Sequence, residues 1–309
     1  MTYENVICEE SFAKLFTVNR KSLSKECRQS IKNLDFNYRV LEKEEQNHVI
    51  LKVLKTLDSN LEIAGPQRKE EWERGWSENL TEFLASDFDV SKLIPKFVKR
   101  QGIIRFRDDY IFPRNENFET DFVSILRMWL FQRYFYGSQY IYEFGCGTSH
   151  NLVAMAKLFP EKSLYGLDWS EASVKIIQNL QTHCGLRIDS HLFDMFSPDE
   201  TYQLHQNSGI FTMGALEQLG TSHEPFIQYL LRQKPTVCVH VETFEELYDP
   251  SKLLDYLALR YLKKRGYLQG YLTRLKELER EGRIEILQTQ KTFGSLYHDG
   301  YSFVVWSQR

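Results

Sequence analysis

The run Tyr140-Ile141-Tyr142-Glu143-Phe144-Gly145-Cys146-Gly147-Thr148-Ser149-His150-Asn151 constrains this chain more than any other. Strand-forming residues end in an acid and a Gly-x-Gly turn, and an amphipathic helical pattern begins directly behind it. A strand that turns this tightly into a helix is the opening unit of a parallel sheet. Its glycines let backbone come close to a ligand, and the helix N-terminus offers unpaired N–H groups. A second run, Leu164-Tyr165-Gly166-Leu167-Asp168-Trp169-Ser170, ends its strand in an acid. It lies about twenty residues on, where a carboxylate can accept from both hydroxyls of a ribose.

Strand-length apolar runs and amphipathic stretches alternate from Gly137 onward, as βα units do. Strands are predicted at Tyr140 to Phe144, Ser163 to Leu167, Arg187 to Phe193, Ser208 to Thr212 and Thr236 to Val241. The helices between them begin near Ser149, Ser170, Asp199 and Glu224. Two more helices follow, Ser251 to Arg265 and Tyr267 to Arg280, parted by Gly266, which can take the left-handed conformation that ends a helix. Strands Ile284 to Thr289 and Tyr301 to Trp306 close the chain, joined through a turn region at Gly294 to Gly300. A connection that short makes the last strand antiparallel to the rest.

Before Gly137 the period is helical. Phe12, Leu15 and Phe16, then Val49, Ile50, Val53, Leu54 and Leu57, recur every three or four residues. Gly65-Pro66 interrupts the pattern, which resumes through Trp72, Trp76, Leu80, Phe83 and Leu84, and again from Asp121 to Tyr136. The division is a mainly helical N-terminal cap over 1–136 and an α/β domain over 137–309, a natural outcome for 309 residues.

Other properties narrow the function. A net charge of -3 argues against wrapping a nucleic acid, which needs clustered Lys and Arg. The basic stretch Lys96, Lys99, Arg100, Arg105 and Arg107 reads as a solvated face, and Lys263-Lys264-Arg265 as the cationic end of a helix. The beginning of the chain has neither a basic segment nor an apolar one, and no apolar run reaches membrane-spanning length. A cytoplasmic location without integral membrane association is expected. Five cysteines (Cys8, Cys27, Cys146, Cys184, Cys238) form no Cys-x-x-Cys pair, and no metal site is expected.

The glycine run and the acid at Asp168 also suit a dinucleotide. That fingerprint, however, asks for a third glycine where His150 stands. The third strand ends in another acid, Asp194, followed by Met195. The order of acid-Gly-x-Gly, acid after strand two, acid after strand three and a terminal antiparallel hairpin resembles the class I S-adenosylmethionine (SAM) dependent methyltransferases. The resemblance covers roughly residues 138–309. It implies a Rossmann-like sheet, mostly parallel with the last strand antiparallel, and SAM as cofactor. On the matching positions Glu143 would meet the amino end of SAM, and Gly145, Cys146 and Gly147 its flank. Asp168 would hold the ribose, Trp169, Asp194 and Met195 the adenine, and Thr212 with the residues through Gln218 the gap towards the acceptor. Two further roles stay open: Asp168 as a helix cap in competition with Ser170, and Trp169 as cover for the sheet edge.

No Asn-Pro-Pro-Tyr or Asp-Pro-Pro-Tyr follows strand four, and no Asp-Asp or Asp-Asn pair that would suggest bound magnesium. More distantly, Gly214 to Gln218, Val239 to Glu242, Glu246 to Asp249 and the cap residues Trp72, Gly75 and Trp76 resemble sugar O-methyltransferases of bacterial surface-polysaccharide synthesis. The acceptor this implies is a small polar molecule such as a sugar or nucleotide-linked sugar. Candidates for its proton acceptor are His240 and Glu242 at the end of strand five, with His223 and Glu217 on the turn after strand four. His240 is the first choice, because an imidazole suits proton removal near neutrality. Two rivals remain: an NAD(P)-dependent oxidoreductase, and a scaffold that binds SAM without turnover.

Overall fold

The computed structural model describes residues 3–96, 98 and 102–309; Lys99 and Arg100 of the basic stretch lie outside the described residues. The N-terminal part contains β1 (Asn5–Val6), α1 (Glu9–Leu15), α2 (Lys25–Asn33), β2 (Asn37–Val40), α3 (Lys43–Asp58), α4 (Lys69–Ala85), β3 (Ile104–Phe106), β4 (Asp109–Pro113) and α5 (Phe118–Tyr134). There follow β5 (Tyr140–Phe144), α6 (His150–Leu158), β6 (Ser163–Asp168), α7 (Glu171–Cys184), β7 (Ile188–Leu192), β8 (Ser208–Met213), α8 (Glu224–Gln233) and β9 (Val237–Glu242). The chain closes with α9 (Leu253–Arg265), α10 (Tyr271–Arg280), β10 (Ile284–Gln290), β11 (Phe293–Gly294) and β12 (Ser302–Gln308).

Among the described residues seven strands form the main sheet, in the order β7-β6-β5-β8-β9-β12-β10. The pairs from β7 through β9 are parallel, and β12 runs antiparallel to both its neighbours, β9 and β10. The fold is therefore α/β and Rossmann-like, mostly parallel with an antiparallel last strand. It departs from the all-parallel 3-2-1-4-5-6 order of a dinucleotide-binding domain.

Alternation along the strands gives the sheet two apolar faces. Ile141, Phe211, Val239, Phe303 and Val305 meet α5 and α6 on one side. Tyr142, Ile210, Cys238, Val304 and Trp306 meet α8 and α10 on the other. Phe16 of the N-terminal part stacks on Trp129 of α5 with ring centres 4.4 Å apart, so the same core runs through both parts of the chain.

Two elements differ from the periodicity reading. The N-terminal part is not helical throughout. Its strands β1, β2, β4 and β3 make an antiparallel sheet, and β11, from beyond α10, pairs with β3 at its edge. Strands of two to five residues are too short to show a period, and except for β3 and β4, which a two-residue turn joins, their partners lie far along the chain. The helix predicted from Asp199 is absent. The Asp199 carboxylate accepts from the backbone N–H and the hydroxyl of Thr201, and such local bonds compete with helix formation. Rings cover that part of the sheet instead: Tyr202 stacks on His191 at 4.3 Å, and His205 on Tyr140 at 4.3 Å.

Ser170 caps α7 and is fully buried, its hydroxyl 3.4 Å from the Ser173 N–H. Ser170→Ala is expected to cost about 1 kcal/mol, read as a lowered urea midpoint with an unchanged slope.

Candidate functional site

The carboxyl ends of β5, β6 and β8 open into a cleft, where ligands of open α/β sheets bind. Gly145, Asp168, Trp169, Met195, Gly214, Ala215 and Gln218 line it, as do Trp72 and Trp76 of α4. Past Trp169 and Phe193 it continues into an open groove that contains Asp194, Glu73 and Arg74.

Near its end β5 carries Glu143, two residues before Gly145 and 1% exposed. Its Oε1 accepts from Asn151 Nδ2 at 2.6 Å, and Asn151 Oδ1 in turn accepts from Arg127 Nη1 at 2.9 Å. Glu143 Oε2 is buried and has no protein partner. Burial pushes this carboxyl up to about 8, against the pull of Asn151 and Arg127. An orphaned buried oxygen of this kind calls for a donor from a ligand.

Gly145 has φ +69°, and a methyl group built there would lie 2.4 Å from Ala215 Cβ. Only glycine lets the two turns approach so closely. Gly147, at φ +50°, faces the Trp76 ring, which a methyl group would meet at 2.8 Å. Cys146 is buried between them, its thiol held well above the usual range by burial.

Asp168, the last residue of β6, bridges the turn after β5 and its own turn. Its Oδ2 accepts from the Gly147 N–H at 2.8 Å and its Oδ1 from the Ser170 N–H at 3.0 Å. Burial raises it to about 6, those two backbone bonds opposing the shift. The cap role and the cleft-wall role are thus compatible, because Asp168 also faces the cleft. Trp169 lies parallel to Phe196, with ring centres 5.7 Å apart. Asp194 Oδ1 accepts from the Phe196 N–H at 2.9 Å, and the residue lines the groove rather than the cleft proper.

The candidates beyond β8 divide. Thr212 and His240 are fully buried, with Thr212 Oγ1 3.0 Å from His240 Nδ1 and Tyr271 Oη 3.1 Å from His240 Nε2. Neither lines the cleft, and His240 has no ring nitrogen left to meet an acceptor. His223 donates from Nε2 to the Gln269 carbonyl at 2.9 Å, and burial lowers it. Glu242, fully buried, accepts at Oε1 from the Ala215 N–H at 3.1 Å, while its Oε2 has no partner. Glu217 is partly exposed; burial and the nearby Glu242 charge push it up to about 8, with Arg265 and Arg68 opposing.

The motif residues did not point to Asn151 and Arg127, which support Glu143 from α6 and α5. Asn151 stands in the first turn of α6, facing back along the strand end, so its place beside the motif was the available signal. Arg127, an arginine on the apolar face of a predicted helix, was a weaker one.

No protein-family model matches the sequence, and no curated protein does. Solved structures resemble it at low identity. One is the [4+2]-cyclase SpnF, with 18% identity, a TM-score of 0.47 and coverage of 76% of this chain and 78% of the other. Another is a geranyl diphosphate methyltransferase in complex with GPP and sinefungin, with 14% identity, a TM-score of 0.48 and coverage of 78% and 99%. A third is the O-methyltransferase NcsB1 from neocarzinostatin biosynthesis, with 15% identity, a TM-score of 0.40 and coverage of 62% and 58%.

Proposed function

We propose that the chain binds SAM in this cleft and transfers its methyl group to an oxygen of a small polar acceptor such as a sugar. The reading rests on one observation above all. Gly145, Asp168, Trp169 and Met195, singled out by motif, are walls of a single cleft, and the orphaned Glu143 Oε2 belongs to the same turn.

The residues fit the cofactor as follows. Glu143 would accept from the ammonium of the methionine moiety, which satisfies its free oxygen. Asp168 keeps lone pairs for ribose hydroxyls beyond the two backbone bonds it already accepts. Trp169 and Met195 would flank the adenine, and Asp194, where the cleft widens, would accept from its amino group. When bound, SAM supplies an activated methyl on a sulfonium. The protein's part is then to hold the acceptor in line, exclude water and take up one proton. Trp72 and Trp76 roof the cleft from α4 and shield it. None of the four proton-acceptor candidates, His240, His223, Glu217 and Glu242, lines the cleft itself; Glu242 stands nearest in bonding, with a free buried oxygen and a bond from the N–H of the cleft residue Ala215.

Calorimetric titration with SAM and with NAD tests the reading. Binding of SAM without binding of NAD is expected; the reverse would replace the proposal by a dinucleotide enzyme. Release of S-adenosylhomocysteine with a panel of monosaccharides and nucleotide-linked sugars would then narrow the acceptor. Binding without release across that panel would count against an oxygen of a sugar.

A further inference from the structure

The wall of the cleft divides its polar side chains between two ends. Strands β6, β5 and β8 stand side by side in that order, so Asp168 at the end of β6 and Gln218 on the turn after β8 lie on opposite sides of the glycine turn that follows β5. Among the described residues these two are the only wall side chains that carry a carboxylate or an amide. In the SAM reading Asp168 is used by the ribose. Gln218 is then the amide left to meet what lies over β8, where Ala215 closes against Gly145.

Gln218 is 6% exposed, and residues on either side of it set the direction of its amide. Arg68 Nη1 donates to its Oε1 at 3.4 Å, and its Nε2 lies 3.4 Å from Glu217 Oε1. An arginine can only donate, so the amide oxygen belongs on the Arg68 side, and the Glu217 contact assigns the nitrogen to the other. Arg68 is held in turn, because Glu71 accepts from its Nε at 2.8 Å and from its Nη2 at 2.7 Å. Its guanidinium lies 5.2 Å over the ring of Trp72, which stacks on Trp76 at 5.3 Å. The three follow one another at four-residue spacing, which brings helix side chains together. One arginine thus touches the amide on the β8 side of the cleft and the indole pair that roofs it.

An amide NH2 has two protons to give, and the single long contact with Glu217 leaves one for a ligand. The side chains of Ala215, Leu219 and Trp72, on the same wall, offer no acceptor. A hydroxyl or an ammonium placed against them brings a donor without a partner, which is costly away from water. An oxygen that only accepts is satisfied by Gln218 alone. We infer that Gln218 Nε2 is the specificity contact for the methyl acceptor, that it selects a carbonyl oxygen such as that of an N-acetyl group, and that Arg68 is the positioning residue that keeps the amide so turned. This rests on the SAM reading and narrows its acceptor to an N-acetylated sugar over an amino sugar.

The test uses the full chain saturated with S-adenosylhomocysteine. In nitrogen-15 NMR the side-chain NH2 signals of Gln218 are identified by their loss in Gln218→Met. Titration with N-acetylglucosamine and N-acetylgalactosamine should shift these signals, with an affinity at least about tenfold tighter than for glucosamine and galactosamine. In Arg68→Met the amide is free to turn over, and that preference should fall to about twofold or less. Arg68→Lys, which keeps a donor towards Oε1, should retain most of it. A variant that merely loosened the fold would weaken all four sugars alike, and thermal melts establish that each variant is folded. Signals that move with none of the four sugars, equal affinity for amino and N-acetyl sugars, or a preference unchanged in Arg68→Met would overturn the inference. Failure to bind S-adenosylhomocysteine in calorimetry would instead remove the SAM reading, and this subsite with it.

Discussion

Asp168→Ala is expected to weaken SAM binding at least tenfold, and by about a hundredfold to ten-thousandfold if both ribose hydroxyls bond to the carboxylate at about 1.5 to 3 kcal/mol each. The carboxylate does two things at once. It accepts from the Gly147 and Ser170 N–H groups and it forms part of the cleft wall. Alanine therefore also leaves two buried donors open. Asp168→Asn separates the effects, because it keeps an acceptor oxygen for the loop and loses the charge. Calorimetry on both variants is the measurement, and unchanged SAM affinity in the alanine variant would remove Asp168 from the cofactor site. The pH dependence has a definite sign. Burial raises Asp168 to about 6 in the free protein, and ribose hydroxyls donate to its charged form. From this residue, SAM affinity should rise as pH increases through about 6 and then level off.

Arg105→Met is expected to destabilise the fold by roughly 3 to 5 kcal/mol, the usual result of stranding a buried charge. Arg105 stands on β3 and is 1% exposed. It ion-pairs with Asp255 of α9, lies 2.9 Å at Nε from Asp299 Oδ2, and donates from Nη1 to the Leu254 carbonyl at 2.5 Å. Asp255 keeps a second cation in Lys291, at 3.0 Å, whereas among the described residues Arg105 is the one ion-pair partner of Asp299. Burial already raises Asp299 to about 6, with Arg105 as the largest opposing influence. A carboxyl whose folded value lies above its ordinary 3.8 gives most stability below that value and loses it as pH rises through 6. The deficit of the variant should accordingly be larger at pH 8 than at pH 5. Asp299→Asn in the Arg105→Met background should recover part of it. Urea melts at the two pH values decide the matter, and a loss below about 1 kcal/mol would mean that the side chains relax around the missing charge.

The same arginine shows how the two parts of the chain are joined. It ties the small antiparallel sheet to α9 and to the loop before β12, while β11 completes that sheet from the other end of the chain. Neither link has a local signature. Arg105 stood in a basic stretch that reads as solvated, and nothing near it in sequence names Asp255 or Asp299 as partners. A tertiary contact converted an apparent surface charge into a buried one.

The strands β5, β6, β8, β9 and β12 were legible because each is mostly buried and rich in apolar residues, whereas the edge strands β7 and β10 carry more polar residues and were placed by the βα alternation and the closing hairpin. Gly145, Gly147 and Asp168 were legible because a tight strand-to-helix turn permits few residue types, and a hydrogen bond joins the glycine turn after β5 to Asp168 at the end of β6. The antiparallel last strand followed from the length of its connection. Such features depend on residues close along the chain, where covalent geometry and periodicity leave little choice.

What only the tertiary structure decided are the contacts between distant residues. Trp76 and Gly147 meet because α4 packs over the cleft, and no period in α4 specifies its target. His240 and Glu242 share a strand face and similar surroundings in sequence. Yet the first has both ring nitrogens occupied by Thr212 and Tyr271, and the second keeps a free oxygen next to Ala215. The physical reason is that a side chain's chemistry depends on which polar groups reach it once water is gone. Those groups come from β8, α10 and the turn after β8, which packing alone brings together.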